Sequence, residues 1–158
     1  MTRVNLVSPE SLADQHLMAE FKEITRVPSL LRKNLGTKSQ RSILDSVPHN
    51  FTLNTGHMKF FLDKMQFLCD RYESLKKELR NRSFGITEYD ASDIFLNGIP
   101  SNFCTDKWSP SKSDIQVSVD RISLRISEKP TWYKYHGKTM NPDYFRELMK
   151  LELTFMST

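Results

Sequence analysis

The chain contains 158 residues, of which 38% are hydrophobic and 27% are charged, and this predicts one soluble globular domain that can bury most of its apolar surface. The sequence has no apolar run of the roughly 18 residues that a membrane span needs, and its N-terminus lacks the pattern of a signal peptide. The net charge of +4 is compatible with a polyanionic partner, but many proteins without such a partner carry as much.

The first helix is predicted over residues 11–35. Its apolar positions fall on one arc that should face the core: Ala13, Leu17, Met18, Phe21 and Ile24. The opposite arc carries Gln15, His16, Lys22, Glu23 and Arg26 around the small Ala19. Pro28 should kink or end this helix near Val27. A polar loop is expected at 37–54.

The second helix is predicted over residues 58–79, where apolar residues recur every three or four positions. The basic run at its end is interpreted as a solvated helix end, where positive charges interact favourably with the negative, carboxyl-terminal end of the helix dipole. That run consists of Lys76, Lys77, Arg80 and Arg82. His57, near the start of this helix, is interpreted as a structural hydrogen-bonding residue.

The last third of the chain follows a loop with short irregular elements at 83–112. Residues 114–128 fit two patterns, because Ile115, Val119, Ile122 and Ile126 form a helical stripe while their β-branched alternation favours a strand. A final helix is predicted after Asn141, a suitable cap that precedes a proline.

The N-terminus carries a candidate nucleophile. Thr2 is small enough that Met1 is expected to be removed, which leaves the α-amine of Thr2 free. An α-amine has a reference pKa of roughly 7.7–8.0, so it can act as a Schiff-base nucleophile near neutral pH with little tuning. Glu23 would serve as its proton shuttle if the fold brings the N-terminus against the first helix.

The polar arc of the first helix has two interpretations. It is either an ordinary solvated face or a DNA-binding face that combines hydrogen-bonding side chains for bases with cations for phosphates. The small side chain of Ala19 favours the second interpretation, since it leaves room for a close approach.

Four segments carry a family resemblance: "MTRVNL", "LADQHLMAE", "GHMKFFLDK" and "KPTWYKYHGK". With them, residues 1 to about 138 resemble the phage pyrimidine-dimer DNA glycosylases, also called the phage endonuclease V family. The resemblance implies a mainly α-helical, compact single domain with three principal helices and irregular loops, and it assigns 114–128 to a helix. We expect residues 1–138 to form this domain, and residues 139–158 to form an extension with an extra C-terminal helix packed on it.

The resemblance also implies a mechanism. The α-amine of Thr2 attacks C1′ of the damaged nucleotide, the base leaves, a Schiff base forms and β-elimination cuts the strand. Glu23 is essential for this chemistry, and no metal or cofactor takes part. The positions that match DNA contacts of the family are Arg3, Gln15, His16, Lys22, Arg26, Arg121 and Arg125.

The partner implied is double-stranded DNA that contains pyrimidine dimers or abasic sites. The enzyme would act as a monomer, without a membrane. The lone Cys69 and Cys104 indicate a reducing cytoplasm, which is the host bacterial cytosol if a phage encodes the chain. The alternatives are a related glycosylase or lyase for other lesions, and a non-catalytic basic DNA-binding protein.

Several positions depart from the family pattern. Lys22 replaces an arginine of the best-known member, which would lose bidentate phosphate binding, and Thr25 replaces a proline. Trp132, Tyr133 and Tyr135 suit either stacking on DNA or closing the core, and the two interpretations are about equal.

Overall fold

The computed structural model describes residues 3–155 and is mainly α-helical, as predicted. Its helices in that range are α1 (Asp14–Glu23), α2 (Arg26–Leu35), α3 (Gln40–Asp45), α4 (His57–Phe60), α5 (Met65–Asn81), α6 (Ala91–Phe95), α7 (Lys112–Glu128) and α8 (Pro142–Phe155). Strands β1 (Lys134–Tyr135) and β2 (Lys138–Thr139) form a small antiparallel hairpin. Turns of 3-10 helix occur at Pro9–Ser11 and Ser101–Phe103.

The predicted first helix is two helices. α1 ends at Glu23 and α2 begins at Arg26. In one continuous helix, the residue at position 28 would have to donate a backbone hydrogen bond to the carbonyl of Ile24, and proline has no N–H to donate. The break that Pro28 predicts is therefore present, but it lies at Ile24 and Thr25 rather than near Val27.

The predicted second helix is also interrupted. Its first turn is α4, and α5 follows after a gap at 61–64. Lys64 leaves the helical conformation (φ −127°, ψ 41°) because its backbone forms a bridge with Cys104. The predicted loop at 37–54 was wrong in one respect, since it contains the short helix α3. Ser39 caps this helix, and Ile43 anchors it in the core.

Residues 114–128 are helical, which confirms the interpretation from the resemblance over that from β propensity. α7 starts with a capping box between Ser111 and Asp114. The helical stripe of isoleucine and valine side chains is buried, whereas Val117 and Leu124 are 45% and 56% exposed. A strand would have placed Val117 on the same face as the buried Ile115 and Val119.

The C-terminal helix is confirmed. Asn141 accepts a hydrogen bond from the Tyr144 amide at 3.0 Å, and Phe145 and Met149 are fully buried. Glu152 accepts hydrogen bonds from the backbone amide (2.7 Å) and the hydroxyl (3.0 Å) of Ser8. The division into 1–138 and 139–158 stays a prediction, which these contacts support.

The solvated interpretation of the basic run is wrong at two of its four positions. Lys77 and Arg80 are exposed, but Lys76 and Arg82 are buried. Arg82 lies between Glu78 and Asp14, and each pair has an N–O distance of 2.9 Å. The sequence pattern could not show this, because Asp14 is 68 residues away.

The hairpin turn depends on α1. His136 and Gly137 have positive φ angles of 52° and 78°. Their backbone amides donate to the two carboxylate oxygens of Asp14 at 3.1 and 2.8 Å. The first residue of α1 thus fixes the hairpin beside the outer face of that helix. Between residues 3 and 155, no helix is both long enough and apolar enough to span a bilayer.

Candidate functional site

Two cavities meet on the polar face of α1. The larger one, of about 830 Å³, lies between α1 and the hairpin. The smaller one, of about 290 Å³, lies between α1, the N-terminal segment and α7. Ala19 and Glu23 line both cavities. The small Ala19 side chain leaves this junction open, as its position in the sequence suggested.

Glu23 has an uncommitted carboxylate. It is half-buried, and no hydrogen bond or ion pair joins it to another side chain within residues 3–155. By contrast, the nearby acidic residues Asp14 and Glu20 are buried in ion pairs with arginines. A free carboxylate between two cavities is therefore available to a substrate or to the N-terminus. Thr2, the predicted nucleophile, lies outside the described residues.

Three arginines converge on the smaller cavity. Arg3 enters from the N-terminal segment, and Arg121 and Arg125 enter from successive turns of α7. The pKa of Arg3 is lowered, first by burial and then by the positive charges of Arg121 and Arg125. The Arg3 Nε is buried without a hydrogen-bond partner among residues 3–155. Positive charges held this close together create a strong field for an anion such as a phosphate.

His16 lies in the same cavity and is neutral at pH 7. Burial and then the charge of Arg125 lower its pKa from 6.5 to about 4. Its ring lies 4.8 Å from that of Tyr133, and in the part of the chain that the structure describes its buried Nδ1 has no hydrogen-bond partner. It can therefore donate or accept a hydrogen bond, but it does not add a positive charge to the cavity.

Both the nitrogen and the oxygen of the Gln15 side-chain amide are hydrogen-bonded within the protein. Its amide nitrogen donates to the carbonyl of Trp132 at 2.8 Å, and its amide oxygen accepts from the backbone of Lys134 at 3.0 Å. These two bonds hold the segment before the hairpin against α1. The predicted contact between Gln15 and a base stays a prediction, and in this arrangement the side chain orients a wall of the larger cavity.

The three aromatic residues divide between the two interpretations. Trp132 is 51% exposed and lines the larger cavity. Tyr133 is buried, and the hydroxyl of Tyr135 donates to the carbonyl of Glu10 at 2.7 Å while its ring covers Arg82. Tyr133 also lines the smaller cavity, but of the three residues it is Trp132 that exposes half of its surface for stacking on a ligand.

The remaining predicted contacts lie on the exposed rim. Lys22 is exposed and lines the larger cavity. Arg26, also exposed, is in the first turn of α2 and lines neither cavity. Across residues 3–155, no three His, Cys, Asp or Glu side chains group as they would around a metal ion.

The interpretation of His57 as a structural hydrogen-bonding residue is confirmed, whereas sequence reasoning missed Glu20 among the side chains that hold the N-terminal segment. His57 accepts from the amide of Val4 at 2.9 Å, and Glu20 accepts from the amide of Asn5 at 3.1 Å. Glu20 is buried and bonds to Arg71 through both carboxylate oxygens. Its position next to Ala13, at the edge of the apolar arc, was a usable signal, since a carboxylate that faces a core needs a partner.

A comparison with known families matches more than half of the chain. Residues 1–91 match the family model of the pyrimidine dimer DNA glycosylases. The matched part contains the N-terminal segment, all of α1, and His57 and Glu20, which hold the amides of Val4 and Asn5. Arg121 and Arg125 on α7 lie outside it.

Proposed function

The chain belongs to the family of pyrimidine dimer DNA glycosylases, and from this premise we propose that it cuts DNA at ultraviolet-induced pyrimidine dimers through a Schiff base. The neutral α-amine of Thr2 attacks C1′ as the glycosyl bond breaks, and the base leaves with the bonding electrons. The sugar then opens to an imine. Removal of a C2′ proton expels the 3′ phosphate and nicks the strand.

The free carboxylate of Glu23 at the junction of the cavities carries this proposal. It can accept the proton released by the amine, return a proton to the ring oxygen O4′ as the sugar opens, and then accept the proton from C2′. It also stabilises the positive charge that develops at the sugar. Burial of Glu23 in an ion pair would have argued against such a role. Asp14 and Glu20 form ion pairs with arginines, so those two carboxylates have a structural role.

The N-terminal segment supports the placement of the amine. Val4 is fully buried, and its amide is bonded to His57. A residue spans at most about 3.6 Å, so an amine two residues before Val4 stays within roughly 7 Å of the Val4 nitrogen. Arg3, which lies between them in sequence, lines the cavity that Glu23 also lines.

DNA binding is proposed to use the arginine-lined cavity and the rim together. Arg3, Arg121 and Arg125 would bind the phosphates next to the lesion, while Lys22 and Arg26 would bind phosphates along the outer face. These contacts position the duplex without reading its sequence. The family extrudes a nucleotide from the duplex, and the exposed Trp132 in the larger cavity offers a surface on which such a base can stack.

The proposed enzyme acts as a monomer in the cytosol and needs neither a metal nor a cofactor. EDTA should therefore leave the nicking of dimer-containing DNA unchanged, and strong inhibition would contradict the proposal. A panel of oligonucleotides, each with one defined lesion, distinguishes the dimer-specific enzyme from a relative with another lesion preference. A retained Met1 would favour the non-catalytic binding protein.

The decisive experiment is Glu23→Gln. Glutamine keeps the shape of glutamate but cannot accept a proton, so single-turnover cleavage should fall by roughly 10²- to 10⁴-fold. Affinity for dimer-containing DNA should hold or rise slightly, because a negative charge near phosphates is removed. The melting temperature should stay close to that of the wild type, since Glu23 has no side-chain partner within residues 3–155. Cleavage within a few-fold of the wild type would refute the mechanism.

A further inference from the structure

Side chains from three separate helices hold the chain just after its N-terminus. The amide of Val4 donates to Nε2 of His57 on α4, and the amide of Asn5 donates to Oε1 of Glu20 on α1. The amide of Leu6 donates more weakly, at 3.4 Å, to the hydroxyl of Ser118 on α7. Three successive amides are thus fixed without any strand pairing. Of the three anchored amides, that of Val4, which His57 holds, is the closest in sequence to the N-terminus.

The geometry fixes the protonation state of His57. Its Nε2 accepts the Val4 hydrogen bond and therefore carries no proton. Its Nδ1 lies 2.7 Å from the carbonyl of Thr52 and must donate to it. The ring is only 3% exposed and meets Phe51 and Phe61 edge-on, with centroid distances of 5.6 and 5.4 Å. Both nitrogens and the ring plane are therefore determined by the protein.

We propose that His57 is a positioning residue for the N-terminal nucleophile: through its bond to the Val4 amide, it limits where the α-amine two residues earlier can go. This inference rests on the proposed function, because it presumes that the amine of Thr2 attacks the sugar. His57 itself does not touch the reacting atoms in this scheme.

The length of the free segment sets the size of the effect. With the bond to His57, the amine lies two residues from its first anchor, or at most about 7 Å. Without the bond, the first hydrogen-bonded amide is that of Asn5, which is three residues away, and an amine held only from there reaches at most about 11 Å. The accessible volume grows with the cube of this reach, so the effective concentration of the amine falls roughly threefold or more. Loss of the correct attack angle adds to this.

Two substitutions separate the two hydrogen bonds of the ring. In His57→Asn, the side-chain amide reaches the position of Nδ1, so the bond to Thr52 can persist while the bond to Val4 is lost. In His57→Gln, the amide reaches the position of Nε2 and can accept from Val4. Ile43→Val, a core change in α3 away from both cavities, is the matched control for a modest loss of stability.

The measurement is the rate of imine formation at saturating abasic-site DNA, trapped with cyanoborohydride. We expect His57→Asn to slow trapping at least threefold and His57→Gln to recover at least half of that loss. The affinity of both variants for a duplex with tetrahydrofuran in place of the abasic sugar should stay within twofold of the wild type. A slowing of less than threefold, or equal slowing in both variants, would overturn the inference.

A backbone variant provides a second test of the inference if His57→Asn does not fold. Incorporation of the α-hydroxy acid analogue of valine at position 4 replaces the donating N–H by an oxygen and leaves His57 in place. It should slow trapping by the same threefold or more, and a normal rate would overturn the inference. Mass spectrometry of the trapped wild type distinguishes the two proposals: a crosslink on a lysine refutes the proposed function, whereas a crosslink on Thr2 with normal rates in the variants refutes only the role of His57.

Discussion

Arg82 connects three parts of the molecule, and its replacement by methionine should destabilise the fold strongly. Its side chain is fully buried at the end of α5. Its guanidinium donates to the carboxylates of Glu78 and Asp14 and to the carbonyls of Pro9, Glu10 and Leu12. Methionine fills a similar volume but donates nothing, so Arg82→Met isolates the effect of the lost hydrogen bonds and charge from that of a cavity.

The expected loss of stability follows from the buried carboxylates of Asp14 and Glu78, which lose their arginine partner. Removing one partner of a buried ion pair typically costs about 3–5 kcal/mol, because the remaining charge is neither solvated nor paired. In a domain of this size each kcal/mol lowers the melting temperature by about 2–4 °C, so the decrease should be about 6–20 °C. Asp14 also holds the turn of the hairpin through His136 and Gly137. Cleavage should therefore fall along with stability, because the wall that carries Trp132 loses its support.

The assay is urea unfolding at pH 7, with Arg80→Met as the control. Arg80 lies two residues earlier on α5, and its ion pair with Glu88 is exposed, with side chains 47% and 58% accessible. Exposed ion pairs contribute about 0–1 kcal/mol, so the control should be nearly neutral. If Arg82→Met lowers the free energy of unfolding by less than about 1 kcal/mol, the reasoning from burial is refuted.

Two further measurements address the electrostatics of the smaller cavity. His16 has a folded-state pKa of about 4, below its ordinary 6.5, so the unfolded chain binds the proton first and stability is lost as the pH falls from about 6.5 towards 4. Between pH 7 and pH 4.5, the free energy of unfolding measured with urea should decrease by about 2 kcal/mol less in His16→Gln than in the wild type. Equal decreases would contradict the lowered pKa of His16. Arg121→Ala should make the log–log salt dependence of DNA binding shallower by about 0.9, as expected for one lost phosphate contact. An unchanged slope would remove Arg121 from the interface.

The sequence by itself determined three of the longer helices. Apolar residues at three- and four-residue spacing mark α1, α5 and α8, and the cap at Asn141 marks the start of α8. These are local properties, since a helix forms from contacts within a few residues along the chain. The polar face of α1 was also readable, and the family resemblance assigned chemistry to it. For α7 the family resemblance was needed. The spacing of its apolar residues predicts a helix, whereas their β-branched side chains favour a strand.

Tertiary structure decided what each polar side chain does. The sequence could not distinguish the solvated Arg80 from the buried Arg82, because the carboxylate of Asp14 reaches Arg82 from 68 residues away. It could not show that Gln15 bonds to the backbone near the hairpin while Glu23 has no side-chain partner within residues 3–155, although both lie on the same face of α1. The convergence of Arg3 with Arg121 and Arg125 likewise joins chain segments more than a hundred residues apart. A helical pattern tells which face is polar, but the partner of each polar group depends on which distant segment packs against that face.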